Sequence, residues 1–364
     1  MPSRAFGSKE LAFQRIQIFY PDQRQATVPL WKFSRLHFIA MHILRRPRRL
    51  RTSAAVRALV EETTVSVNDL ILPVFVVEGT NVKREVASMP GVYRHSLDNL
   101  LDEIGRCQDL GIKAFDLFPG LDESKKDKTA SESWREGSMY LEAIHAVKSK
   151  YPEVVVMTDV AMDPYSSDGH DGYVENGEIL NDETLEYLGK MGIAQAQAGA
   201  DILGPSDMMD GRVGYLREKL DDAGFTKVAI MSYTAKYASA LYSPFRDALE
   251  SAPKFGDKKT YQMNPANIKE ALIEAELDFA EGADYLMVKP AMLYLDIIKM
   301  LNDNFALPIA AYNISGEYSM IKAAAQKGWI DGDRVMLETL TSIKRAGAKI
   351  ILTYFAKEFA ELSR

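Results

Sequence analysis

Thiols are almost missing from this 364-residue chain, in which Cys107 is the only cysteine. One thiol closes no intrachain disulfide and builds no thiolate metal cluster, so neither device holds the fold together. Cys107, just ahead of Gly111, reads as a small buried hydrophobe, and a lone thiol suits a reducing cytoplasm. Long apolar runs are missing too: none approaches the roughly 18 residues that span a bilayer. Hydrophobic residues still make up 47% of the chain, ample for a large core. There is no basic surplus either. Lys and Arg number 44 against 51 Asp and Glu, a net charge of -7, which argues against a nucleic-acid partner. The positive charge gathers in residues 1–57 and ends in Arg45-Arg46-Pro47-Arg48-Arg49-Leu50-Arg51. Such a run is usually a solvated arm or pairs with another subunit. Residues 1–40 are poor in acids and lack the apolar core of a secretory signal. They are expected to be a disordered extension or the product of a start codon upstream of Met41, with an organellar transit segment as the alternative.

From about residue 70, short apolar runs alternate with helical stretches. The runs are Ile71–Val77, Ile112–Phe118, Val154–Thr158, Asp201–Gly204, Val228–Met231, Tyr285–Val288, Pro308–Tyr312 and Ile350–Tyr354. Near-continuous apolar strands separated by amphipathic helices indicate a parallel sheet buried on both faces. Helical spacing is clear in Leu97–Leu110, Leu185–Ala198 and Asn267–Glu281, the last expected to begin near Ala266 after Asn264-Pro265. Glycines such as Gly199 and Gly282 stand where a helix must end and turn into a strand. Eight β/α units predict an α/β fold of the TIM (β/α)8 barrel type over residues 70–364, preceded by an arm at 41–69. A doubly wound open sheet is the rival, but no glycine-rich phosphate turn follows the first strand.

In a barrel the strand ends converge on one face, where chemistry is done. Asp159, Ser206, Asp207, Lys236, Lys289, Ser315 and Tyr354 all fall at or just after strand ends. Lys289 closes the apolar run Tyr285-Leu286-Met287-Val288. A lysine so placed loses hydration of its ammonium, its pKa falls, and the free amine can attack a ketone to form an imine. A snorkelling or carboxylate-paired lysine is the plainer alternative. Lys236, one strand earlier, would be ordinary alone, but beside Lys289 each charge would disfavour the other. Two such lysines suit a reaction that joins two carbonyl compounds. Arg246 and Lys258 are candidate carboxylate binders, and Ser315 and Tyr354 could serve a second carboxylate. For isolated loop cations, solvent exposure is the ordinary outcome.

The segment Gly282-Ala283-Asp284-Tyr285-Leu286-Met287-Val288-Lys289-Pro290-Ala291-Met292 resembles the active-site signature of porphobilinogen synthases, also called delta-aminolevulinic acid dehydratases. The resemblance extends through Pro205-Ser206-Asp207-Met208-Met209-Asp210-Gly211-Arg212, Tyr261-Gln262-Met263-Asn264-Pro265, Ser315-Gly316-Glu317-Tyr318 and Lys327-Gly328-Trp329, and reaches back to the arm. It implies condensation of two 5-aminolevulinate molecules to porphobilinogen, a dehydratase reaction of tetrapyrrole biosynthesis. By that resemblance Lys289 forms the imine with the first substrate, whose carboxylate meets Ser315 and Tyr354. Lys236 holds the second, with Arg246 and Lys258 on its carboxylate and Gln262 nearby.

Zinc-dependent members of the family carry three cysteines after strand three. Here those positions are Ala161, Asp163 and Asp171, so zinc–thiolate binding is excluded and oxygen ligands suit magnesium or no metal. Asp159, Asp163 and Asp171 are read as polar groups at the active-site loop; His170 could be a ligand, but a lone histidine in a polar loop is more often just exposed. The resemblance also implies an allosteric magnesium held through its water shell by Glu274, and a homo-octamer assembled through the N-terminal arms. Glu123–Arg135, with Trp134, departs from the commoner family pattern. A class I aldolase would need one imine lysine and a phosphate site. A barrel that merely binds a tetrapyrrole precursor or partner would have no need of paired lysines.

Overall fold

The computed structural model describes residues 44–249 and 253–364; the extension at 1–40 and the first residues of the arm lie outside them. Contacts divide the chain into one unit up to Val60 and another from Glu61 to Arg364. In the first, a single turn at Pro47–Arg51 precedes a short helix at Ala54–Leu59. The Ser53 hydroxyl accepts from the Val56 amide at 3.2 Å and caps that helix.

The second unit is a closed barrel of eight parallel strands. They are β1 (Leu70–Val77), β2 (Ala114–Gly120), β3 (Val155–Val160), β4 (Ile202–Pro205), β5 (Ala229–Lys236), β6 (Tyr285–Lys289), β7 (Ile309–Asn313) and β8 (Ile350–Thr353). Each pairs with the next, and Leu70 and Ile71 pair with Ile351 and Leu352 to close the ring. Closure and helical cover bury both faces, which is why the strands read as unbroken apolar runs. The helix Leu97–Asp109 shows the cover at work: Leu100, Ile104 and Cys107 lie on its buried stripe. Burial pushes the Cys107 thiol up to about 12, so it is an inert packing group. Gly199 (φ 109°) and Gly282 (φ 99°) take the left-handed turn expected of them.

Several boundaries differ from the sequence expectation by a few residues, and two of them bear on the site. The helix after Asn264-Pro265 starts at Glu270, not near Ala266, because the Asn264 side chain takes the Ala266 amide at 2.9 Å and its carbonyl takes that of Asn267. Asparagine here offers the backbone a turn in place of a helix. Strand β5 runs on past Met231 to Lys236. Its polar residues are paired inside the protein: Ser232 Oγ donates to Asp278 at 2.6 Å and accepts from Arg212 at 3.1 Å.

Candidate active site

The two lysines face each other across neighbouring strands through a defect in the ladder. Leu286 pairs with Ser232, but Val288 pairs with Ala235, so β5 carries one extra residue before Lys289 meets Lys236. Side chains alternate along a strand, so Ser232, bonded outward to the helices, would put Lys236 outward as well. The extra residue reverses the alternation and turns Lys236 into the barrel. The backbone carbonyls of both lysines are held from the long loop after β5. Tyr237 N donates to Lys289 O, and Met263 N donates to Lys236 O, each at 2.9 Å.

Lys289 is 6% exposed. Its ammonium has no hydrogen bond or ion pair among the described residues and sits among rings. Tyr312 lies 4.6 Å from it, Tyr233 4.8 Å and Phe245 5.2 Å, measured to ring centroids. Burial, and then the charge of Lys236, bring it down to about 7. Lys236 donates to the Ser206 carbonyl and lies 3.5 Å from Asp171. Lys258 bridges Asp163 at 3.1 Å and Asp171 at 2.8 Å. Burial works against its charge, yet the two carboxylates raise it above the ordinary lysine value. Burial, helped by Asp163, raises Asp159 to about 7, with the two lysines pulling the other way.

One small cavity is lined by Asp159, Asp163, Asp171, Lys236, Lys258 and Lys289, with Arg246, Gln262, Ser206, Tyr242 and Phe245. Nine of the residues singled out in the sequence, counting Ser206, therefore meet at one place. Asp159 stands on β3 itself and not in the loop beyond it. Lys258 is buried and Arg246 half-buried, so neither is the exposed loop cation expected from charge alone. His170 is also buried, bonded to the Tyr261 hydroxyl at 3.2 Å and the Phe255 carbonyl at 3.0 Å. The loop folds inward because its acids pair with Lys258. Ser315 and Tyr354 do not line this cavity. Ser315 Oγ accepts from the Phe245 amide at 3.1 Å, and the Tyr354 hydroxyl pairs with that of Tyr312 at 3.2 Å. Phe245 belongs to the helix Ser243–Leu249 over the mouth, and with it in place the cavity measures about 30 Å³, space for a water or two.

Glu274 is elsewhere, half-buried beside Asp210, Glu270, Asn264 and Asn267 in a cavity of about 630 Å³. Burial raises it to about 7; Arg212 opposes this, while Asp278, Asp210 and Glu270 add to it. Sequence reading missed Tyr233, Tyr312, Phe245 and Asp116. Only Asp116 left a signal, as the single acid in Ala114-Phe115-Asp116-Leu117-Phe118.

The family described as delta-aminolevulinic acid dehydratase matches residues 44–362. A chloroplastic delta-aminolevulinic acid dehydratase of Oryza sativa subsp. japonica is 54% identical over 324 residues, 88% of this chain and 76% of the relative. That of Chlamydia pneumoniae is 51% identical over 323 residues, covering 89% and 97%. The crystal structure of the Toxoplasma gondii ME49 enzyme in complex with its reaction product porphobilinogen superposes with a TM-score of 0.87, at 49% identity, over 88% of this chain and 92% of that one. No helix among the described residues is long and apolar enough to cross a membrane.

Proposed function

The chain belongs to the delta-aminolevulinic acid dehydratase family, and from that premise we propose how its own residues join two substrates through imines on Lys289 and Lys236. The activity is the condensation of two 5-aminolevulinate molecules to porphobilinogen with loss of two waters, a lyase reaction of porphyrin biosynthesis. The observation that carries the residue assignment is the pairing of Lys289 with Lys236 in one buried cavity.

With its ammonium desolvated, Lys289 stands as a free amine about half the time near neutral pH. It attacks the ketone of the first substrate, and the carbinolamine loses water to give a protonated imine. That cation draws electrons from the adjacent carbon, whose proton is then removed. The second substrate is held as an imine on Lys236, which brings its imine carbon to the nucleophilic carbon without a separate encounter. Carbon–carbon bond formation and attack by an amino group close the pyrrole and release both lysines. Arg246 and Lys258 bind the carboxylate of the second substrate. Ser315 and Tyr354 take that of the first once the helix Ser243–Leu249 lifts and frees Ser315 from the Phe245 amide.

Magnesium fits the Glu274 cavity by donor chemistry: its acids and amides offer only oxygen, the ligand type of a hard cation. Among the described residues no three His, Cys, Asp or Glu side chains converge as a metal site, so the ion would be held largely through its water shell. When bound, it supplies positive charge to carboxyls that otherwise raise one another's pKa. Assembly into a homo-octamer through the arm, which belongs to a unit of its own, completes the reading, together with cytoplasmic residence; the plant relatives are named as chloroplastic.

Borohydride added with 5-aminolevulinate tests the imines directly. Peptide mapping should find reduced adduct on Lys289, and on Lys236 at high substrate. Loss of activity with neither lysine labelled would refute the assignment.

A further inference from the structure

Asp116 interrupts an apolar strand and is 0% exposed. Phe118, two residues on and therefore on the same face, packs its ring against Phe75 and Phe245 at the mouth, at 5.9 and 5.0 Å. Asp116 consequently points into the barrel one layer deeper. It pairs with Met157 on β3, two residues below Asp159. Its Oδ2 accepts from the Tyr233 hydroxyl at 3.4 Å, and its Oδ1 has no hydrogen-bond partner among the described residues. The same Tyr233 ring lies under the Lys289 ammonium, so the carboxyl and the amine are separated by one ring. Asp159 on β3 and Lys289 act on its charge, and its own charge is felt by Tyr312 on β7, Tyr354 after β8 and Tyr140 of the helix Met139–Lys150. Among the described residues, Lys289 is the one cation that acts on it.

A buried, half-satisfied carboxyl costs stability, and sites that keep such a group commonly do so for function. The imine on Lys289 makes a cation in a place built to hold a neutral amine. We propose that Asp116 is its buried counter-charge: a carboxylic acid while Lys289 is a free amine, a carboxylate once Lys289 carries the protonated imine. The balance is amine plus ketone plus carboxylic acid giving protonated imine, carboxylate and one water. The proton lost by Asp116 balances the one gained by the departing water, but Asp116 does not itself hand it to the leaving hydroxyl. Asp116 touches no substrate; it is a positioning residue acting through Lys289, and the inference rests on the imine assignment above. Its electrostatics agree. Burial and Asp159 push Asp116 well above the ordinary carboxyl range, while positive charge at Lys289 pulls it back.

Asp116→Asn keeps the size and an acceptor for Tyr233 but cannot ionise. A negative neighbour raises a lysine's pKa, so its removal should move the acid limb of borohydride trapping at Lys289 down by about one pH unit. Turnover at the plateau should fall about tenfold, the same one-unit effect read as a rate. Tyr233→Phe removes the hydrogen bond but keeps the carboxyl, and should leave the limb in place. Asp116→Leu guards against misfolding: it keeps the branched skeleton and removes the unpaired buried polar atoms, so it should melt near the wild-type temperature while showing the same shift. A wild-type pH profile and trapped fraction in either well-folded Asp116 variant would overturn the proposal. So would a Tyr233→Phe profile matching that of Asp116→Asn. Absence of label on Lys289 in the wild-type enzyme would instead overturn the imine assignment.

Discussion

The charge of Lys236 should be visible in the chemistry of Lys289. At pH 7 a lysine at the ordinary 10.5 holds roughly one amine in three thousand, whereas one at about 7 holds about half. Reductive trapping at Lys289 should therefore rise with pH through about 7 and level off, where an ordinary lysine would keep gaining toward 10.5. Lys236→Met preserves the apolar stem and removes the like charge. Because burial is the larger cause of the depression and Lys236 the second, the limb should move up by about one unit and not return to the ordinary value. Lysine reacts as the amine, so the loss falls on the acid side: trapping about tenfold slower at pH 6 and recovering by about pH 9. The measurement is the rate of adduct formation on the Lys289 peptide across that range, which does not require the second imine. A limb that stays near 7 would show that Lys236 exerts no field on Lys289. A limb displaced to about 10 would show that burial is not what depresses it.

Removing residues 1–40 should leave activity nearly intact, while removing 1–57 should lower oligomeric mass and activity together; light scattering that finds an unchanged octamer after the longer cut would sink the arm's role. Activity should rise with magnesium and need no zinc, and Glu274→Ala should lose the stimulation while keeping a basal rate. Chelated enzyme restored by zinc alone would contradict that reading, and stimulation persisting in the variant would move the site away from Glu274.

Much of this was legible in the chain itself. Eight apolar runs with helices between them specify a closed parallel barrel, because strands covered on both faces have no polar face to alternate. The glycines at helix ends, and a lysine closing an apolar strand, are local signals with local causes. Composition likewise excluded thiolate zinc without any coordinates.

What only the tertiary structure decided depends on contacts between residues far apart in sequence. Lys236 points inward because β5 carries one more residue than β6 between two pairings, and a one-residue change of register is invisible in a single strand. Lys258, Asp163 and Asp171 were named for the site from two separate loops; they and His170, expected to be exposed, are buried because the acids of one loop meet the cation of another. Ser315 and Tyr354 follow the expected strand ends, yet Ser315 is engaged by the Phe245 amide and Tyr354 by the Tyr312 hydroxyl, and neither lines the cavity of the lysines. The sequence determines which groups each strand end offers; the folded barrel determines which of them share one desolvated space, and desolvation is what makes an ordinary lysine a nucleophile.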